Sequence, residues 1–255
     1  MPQLQYLSRG SRPRLAYQQL PGRSPGIVYL PGYQSDMNNE KCLALRDFCC
    51  SSGQAFLRFD YRGCGNSEGN FEDSILGHWR DDVLSVLDEL TTGPQILVGA
   101  SMGSWLMYLA ALDRPQRVAG LVGTGTAVNA FINLFHSLPE EVQQDVASKG
   151  FYTYPMTGSE TGYSKFTYAL LQEAEKHGIT QSPIPVTCPV RMLHALDDDV
   201  VPWRRSVEVA ERLESRDVSV ILRTHGGHTL IDSNSLGQLL AIVKELINSI
   251  ATNQS

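Results

Sequence analysis

No run of lysine and arginine in this 255-residue chain is long enough to follow a phosphate backbone, and 21 Lys and Arg against 27 Asp and Glu leave a formal charge of −6. Nucleic-acid binding therefore lacks its electrostatic footprint. Long hydrophobic runs are missing too. Charge or glycine interrupts every apolar stretch well before the roughly 18 residues that a membrane span needs, so no membrane-spanning segment is expected. Cysteine is scarce and odd in number. Cys42, Cys49, Cys50, Cys64 and Cys188 show no C-x-x-C spacing, which speaks against a disulfide framework and a zinc site and for buried free thiols in a reducing compartment. Internal repeats and low-complexity segments are absent. Acidic residues are absent before Asp36, while Arg9, Arg12, Arg14 and Arg23 precede it. Such a stretch is a faint trace of the acid-poor flank that follows an organelle presequence, although a chance arginine cluster on a solvated edge explains it more simply.

What is present is a regular alternation. With 42% hydrophobic residues, the chain can bury the core of one large α/β domain, expected to span residues 1–255. The apolar runs GIVYLPG (26–32), AFLRFD (55–60) and QILVGA (95–100) alternate with helical patterns at 40–53 and 75–90. In 75–90, Ile75, Trp79, Val83, Val86, Leu87 and Leu90 share one helical face, and Asp81, Asp82 and Glu89 are expected in solvent. Continuous apolar strands separated by helices predict a mostly parallel central sheet flanked by helices. After Pro115 the pattern continues with VAGLVGTG (118–125), PVRMLHAL (189–196), a helix near 203–214, VSVILR (218–223) and a closing helix from about 234 to 250. LQYLS and RLAYQQL predict an antiparallel hairpin on the sheet edge.

Residues 126–187 break this rhythm and hold eight of the 21 aromatic residues, a concentration that asks for an explanation. Each ring alone reads as part of a small core of the insertion itself. As a group, Phe131, Phe135, Phe151, Tyr152, Tyr154, Tyr163, Phe166 and Tyr168 suggest a small lid over an apolar cleft.

The stretch ILVGASMGSWLMYLAA (96–111) puts Ser101 where a strand ends and a helix begins. A turn that sharp strains its central residue, and Gly99 and Gly103 remove the Cβ atoms that would obstruct it. The hydroxyl then stands at the carboxyl edge of the sheet beside the first turn of a helix, whose free N–H groups favour developing negative charge. The alternative is a simple N-cap serine. A serine nucleophile needs a base and a group to orient that base. LHALDDDVVPW (193–203) and LRTHGGHTL (222–230) supply carboxylates and imidazoles just past two strands, on the same sheet edge. His228, after Gly226 and Gly227, is the favoured base over His225, while His194 reads as a packed structural histidine. Among Asp197, Asp198 and Asp199 the pattern leaves the acid open, the others being solvated or capping the next helix. A metal triad of His194, His225 and His228 has no supporting spacing, and neither metal nor cofactor is expected. Two backbone N–H groups, of Met102 and of Tyr33 in the loop PGYQS, are the candidate oxyanion hole.

With these residues in these places, the chain resembles an α/β-hydrolase over nearly its whole length, and DYRGCGNSEG (60–69) resembles a loop of that superfamily. GPQILVGASMGSWLM (93–107), QSPIPVTCPVRMLHALDDDVVPW (181–203) and DVSVILRTHGGH (217–228) are similar to a mitochondrial acyl-protein thioesterase family also described as acyl-glucuronide esterases. The resemblance implies an α/β-hydrolase fold and a triad of Ser101, Asp198 and His228. Asp198 occupies the acid position of that family's H-G-x-x-D-x-x-V-P pattern. It also implies a mitochondrial address and an S-acylated protein or small acyl-ester substrate. Ala195, where that pattern has glycine, Ser104, where the family tends to repeat glycine, and the less polar HGGH segment depart from it without removing a catalytic atom. Two rivals stand beside hydrolysis of a protein thioester. One is a carboxylesterase for small esters or acyl glucuronides; the other is a non-catalytic binding protein on the same fold.

Overall fold

The computed structural model describes residues 3–155 and 162–253. β1 (Gln5–Arg9) and β2 (Arg12–Leu20) form the antiparallel edge hairpin. The alternating part follows as β3 (Arg23–Leu30), α1 (Glu40–Ser52), β4 (Gln54–Phe59), α2 (Leu76–Leu90), β5 (Gln95–Ala100), α3 (Met102–Asp113) and β6 (Val118–Thr124). An excursion then contains α4 (Ala130–Ser137), α5 (Glu140–Lys149), the antiparallel pair β7 (Phe151–Pro155) and β8 (Tyr163–Thr167), and α6 (Tyr168–Ala174). The chain returns through β9 (Val190–Ala195), α7 (Arg204–Arg212), β10 (Val218–Arg223) and α8 (Ser233–Asn253). No described helix is long and apolar enough to cross a membrane.

The main sheet runs β1-β2-β4-β3-β5-β6-β9-β10. From β4 to β10 every pairing is parallel, and β2 joins β4 antiparallel. Because side chains alternate across a strand, Val28, Leu30 and Leu97 bury themselves with residues of α2 and α3. Ile27, Tyr29, Ile96 and Val98 go to the opposite face, with residues of α1 and α8. Parallel register aligns Leu30 with Gly99, Ala100 with Thr124 and Ala195 with Arg223. The loops that follow β3, β5, β9 and β10 therefore emerge along one edge.

Asp82 departs from its expected place in solvent. It is fully buried on α2, with Oδ1 accepting from Arg9 and Arg62, each at 2.6 Å. The edge hairpin and the loop after β4 supply these cations, so a neighbour distant in sequence overrides the helical pattern. Cys42, Cys49 and Cys64 are buried, and desolvation pushes each thiol up to about 12. Cys50 is exposed, unlike the expected buried thiols, and Cys188 is half-buried.

The aromatic excursion does not build a core of its own. Phe131 and Phe166 are each 6% exposed and belong to the same apolar cluster as β5 and α3. Phe131 lies 5.9 Å from Trp105 of α3, and both Phe131 and Phe166 flank Tyr33, at 5.5 and 5.0 Å between ring centres. Phe151 and Tyr163 face outward. Within the expected insertion, residues 156–161 lie outside the described residues. Its base is closed by Asn129, whose side chain exchanges two hydrogen bonds with the backbone of Ile179.

Candidate active site

Ser101 occupies the junction of β5 and α3 with φ 51° and ψ −118°, a conformation that L-residues adopt only under constraint. The constraint is visible in its neighbours. A Cβ on Gly103 would sit 2.1 Å from the carbonyl oxygen of Leu30, and one on Gly99 would sit 2.5 Å from that of Gly103. Neither position tolerates a side chain, so strand β3, strand β5 and helix α3 meet backbone to backbone. The Ser101 N–H donates to Thr124 O at 2.8 Å. Ser104, fully buried, donates its hydroxyl to Ser101 O at 2.5 Å and accepts the Ala127 N–H at 3.0 Å. The serine that departs from the family pattern thus ties the elbow to the start of the excursion.

His228 reaches this serine from the loop after β10, where Gly226 and Gly227 adopt φ 145° and 56°. Its Nε2 lies 2.9 Å from Ser101 Oγ, and its Nδ1 lies 2.8 Å from Asp198 Oδ2. A carboxylate only accepts, so Nδ1 carries the proton toward Asp198 and Nε2 is left to accept from the serine hydroxyl. Burial pushes the Asp198 carboxyl up. Hydrogen bonds from His194 and His228, the charge of His228 and the Val201 N–H outweigh it, and the net pKa lies well below the usual carboxylate range. The group stays ionised at neutral pH.

The three adjacent aspartates separate by geometry. Asp198 faces inward, its Oδ1 accepting the N–H groups of Val200 and Val201 at 2.9 and 2.8 Å. Asp197 is exposed and braces the histidine loop by accepting from Gly227 N–H at 2.9 Å, which holds its carboxyl below the ordinary value. Asp199 is exposed at the mouth of the site. None of them caps α7, whose N-cap is Trp203 without a side-chain hydrogen bond. His225 sits on the surface, 3.3 Å from Asp197. His194 is fully buried, yet it is more than packing. Its Nε2 donates toward Asp198 Oδ2 at 2.9 Å and Val201 O at 3.0 Å, and its Nδ1 accepts from Ser206 at 2.8 Å. Sequence spacing contained that signal, since His194 and Asp198 are four apart across a strand end. Among the described residues no cluster of His, Cys, Asp and Glu could hold a metal ion.

Met102 opens α3, so its N–H is among the first-turn donors without an intrahelical partner. The loop after β3 passes directly against the serine: a Cβ on Gly32 would lie 3.4 Å from Ser101 Cβ. Tyr33, next in that loop, donates its hydroxyl to Lys165 O of β8 at 2.5 Å.

Two cavities meet at Ser101 among the described residues. One, of about 600 Å³, is apolar and lies between the elbow and the excursion, lined by Met102, Trp105, Phe131, Leu134, Tyr154 and Phe166. The other is an open, more polar cleft of about 1350 Å³, lined by Gln34, Ser35, Asn39, Lys41, Asp199 and His228. His228 borders only the polar cleft, whereas Ser101, Tyr33 and Val200 border both.

Comparison with known proteins adds four findings. A model of the alpha/beta hydrolase fold matches residues 27–159. Bovine palmitoyl-protein thioesterase ABHD10, mitochondrial (Bos taurus), is 48% identical over 249 residues, covering 98% of this chain and 81% of that protein. The structure of mouse alpha/beta hydrolase domain-containing protein 10 superposes with a TM-score of 0.93 at 46% identity, over 97% of this chain and 99% of its own. A putative hydrolase from Agrobacterium vitis S4 follows with a TM-score of 0.89 at 27% identity, over 97% and 98% of the two chains.

Proposed function

The chain belongs to the α/β-hydrolase family, and we propose that it is a mitochondrial serine hydrolase that removes S-linked fatty acyl groups from protein cysteines. The activity and the address follow the name of the bovine relative. The observation that carries the chemistry is the unbroken run of hydrogen bonds from Ser101 through His228 to Asp198, at 2.9 and 2.8 Å.

In this scheme His228 Nε2 accepts the hydroxyl proton as Ser101 Oγ attacks the thioester carbonyl. Asp198, ionised and desolvated, stabilises the imidazolium that forms and keeps its ring in register. The N–H groups of Met102 and Tyr33 receive the charge that develops on the carbonyl oxygen, each such donor contributing on the order of 10² to 10³ in turnover. Collapse of the tetrahedral intermediate breaks the C–S bond, and the leaving sulfur takes the proton from Nε2. Water, deprotonated by the same imidazole, then releases the acyl group from Ser101. The acyl chain lies in the apolar cavity, and residues 126–187 act as the lid of one domain spanning 1–255. The polar cleft also admits alcohol leaving groups, which keeps cleavage of small oxygen esters as a second reading.

Matched S-acyl and O-acyl substrates of increasing chain length, given to the wild type and to Ser101→Ala, test this. Turnover of the long-chain S-acyl peptide by the wild type and its loss in the variant are expected. Cleavage of short oxygen esters alone overturns the thioesterase reading, and wild-type inertness toward both series overturns hydrolysis altogether.

A further inference from the structure

Lys41 sits where a cation is doubly disfavoured. It lies in the first turn of α1, the helix end whose dipole favours anions, and it is only 8% exposed. Its ammonium donates to the carbonyl oxygen of Thr229, the residue after His228. A carbonyl carries no countercharge, and among the described residues no carboxylate forms an ion pair with Lys41. Burial lowers its pKa to about 8, with neighbouring Glu40 acting in the opposite direction, so the group is still mostly charged at neutral pH. The side chain borders the polar cleft together with Thr229 and His228. Glu40 and Asp199 also border that cleft but are exposed, where water and salt weaken their fields.

The direction of proton return says what enters this cleft. In the hydrolysis proposed above, on which this inference rests, the proton that His228 takes from Ser101 goes to the leaving sulfur or oxygen as its bond to the acyl carbon breaks. The leaving group must therefore depart on the side of the imidazole, and His228 borders the polar cleft but not the apolar cavity. We propose that Lys41 selects the leaving group, favouring thiols and alcohols that carry a carboxylate close to the departing atom. The carboxylate supplies the countercharge that the fold withholds, while the acyl chain occupies the apolar cavity on the other side of Ser101. Lys41 is thus a specificity residue, remote from bond breaking.

Octanoyl thioesters of mercaptopropionate and of its methyl ester differ in the leaving thiol by a carboxylate replaced with a neutral methyl ester. For each enzyme the readout is the ratio of kcat/KM for the carboxylate over that for the methyl ester. Lys41→Met, close in length and apolar, is expected to lower this ratio by about tenfold, the scale of one hydrogen bond to a charged group. Lys41→Arg is expected to retain most of it. A ratio unchanged within about twofold in Lys41→Met overturns the proposal, even if both rates fall, because Lys41 would then act only on the histidine loop through Thr229. Absence of wild-type turnover on both thioesters overturns the underlying thioesterase reading as well, so the two failures are distinguishable.

Discussion

The bend that carries Ser101 and the aromatic excursion that roofs it are built from different interactions. At the bend, backbone meets backbone: Gly103 on Leu30, Gly99 on Gly103, and the Ser101 N–H on Thr124 O. Over the site, the excursion is attached through side chains. Phe131 and Phe166 pack on Tyr33, the Tyr33 hydroxyl donates to Lys165 O, the Ser164 hydroxyl donates to Gln34 Oε1 at 2.8 Å, and Lys165 pairs with Glu72 at 2.9 Å. Close-packed backbone has no smaller substitute to retreat to, whereas rings can be exchanged for other apolar groups of similar volume. The position of the nucleophile is therefore insulated from sequence change, and the shape of the apolar cavity is open to it.

That contrast can be broken at its rigid end first. Gly103→Ala would set a methyl carbon 2.1 Å from the Leu30 carbonyl oxygen, so β3 and α3 must part and carry Ser101 away from His228. Turnover on every acyl ester is expected to fall by at least about 100-fold, because a misplacement of about 1 Å costs that much, with a lowered melting temperature. Unchanged turnover would show that the bend is not held by backbone contact. At the adjustable end, Phe131→Ala removes a buried ring from the cavity wall. The expected result is a selective loss, about tenfold in kcat/KM for long acyl chains and little for short ones, the scale of a few lost apolar contacts. An equal loss across chain lengths would place Phe131 in the support of the bend.

The same contrast explains what could be read from sequence. Ile27 and Val28 alternate across the sheet, and the glycines around Ser101 have a steric meaning within five residues, so strands, helices and bend were legible from local pattern. His228 was distinguishable from His225 because two glycines precede it. The choice among Asp197, Asp198 and Asp199 was closed to pattern alone, since three adjacent side chains on one turn differ only in what the folded chain brings to them. Only the resemblance singled out Asp198, and the fold sets it against His194 and His228. Asp82 was misplaced for a related reason: its helix gives no sign of Arg9, 73 residues away in sequence. The rings were visible but not their destination, because Phe131 of α4 and Phe166 of β8 meet Tyr33, which lies far from both in sequence. Lys41 gave no signal in the sequence, because its burial and its contact with Thr229 are made only by the fold.

Labelling with a fluorophosphonate, followed by proteolysis and mass mapping, examines most directly whether His228 activates Ser101. A single adduct on the peptide containing Ser101, absent from His228→Ala at the same exposure, is the predicted result. An adduct on another residue, or an unmodified wild-type protein, would contradict it.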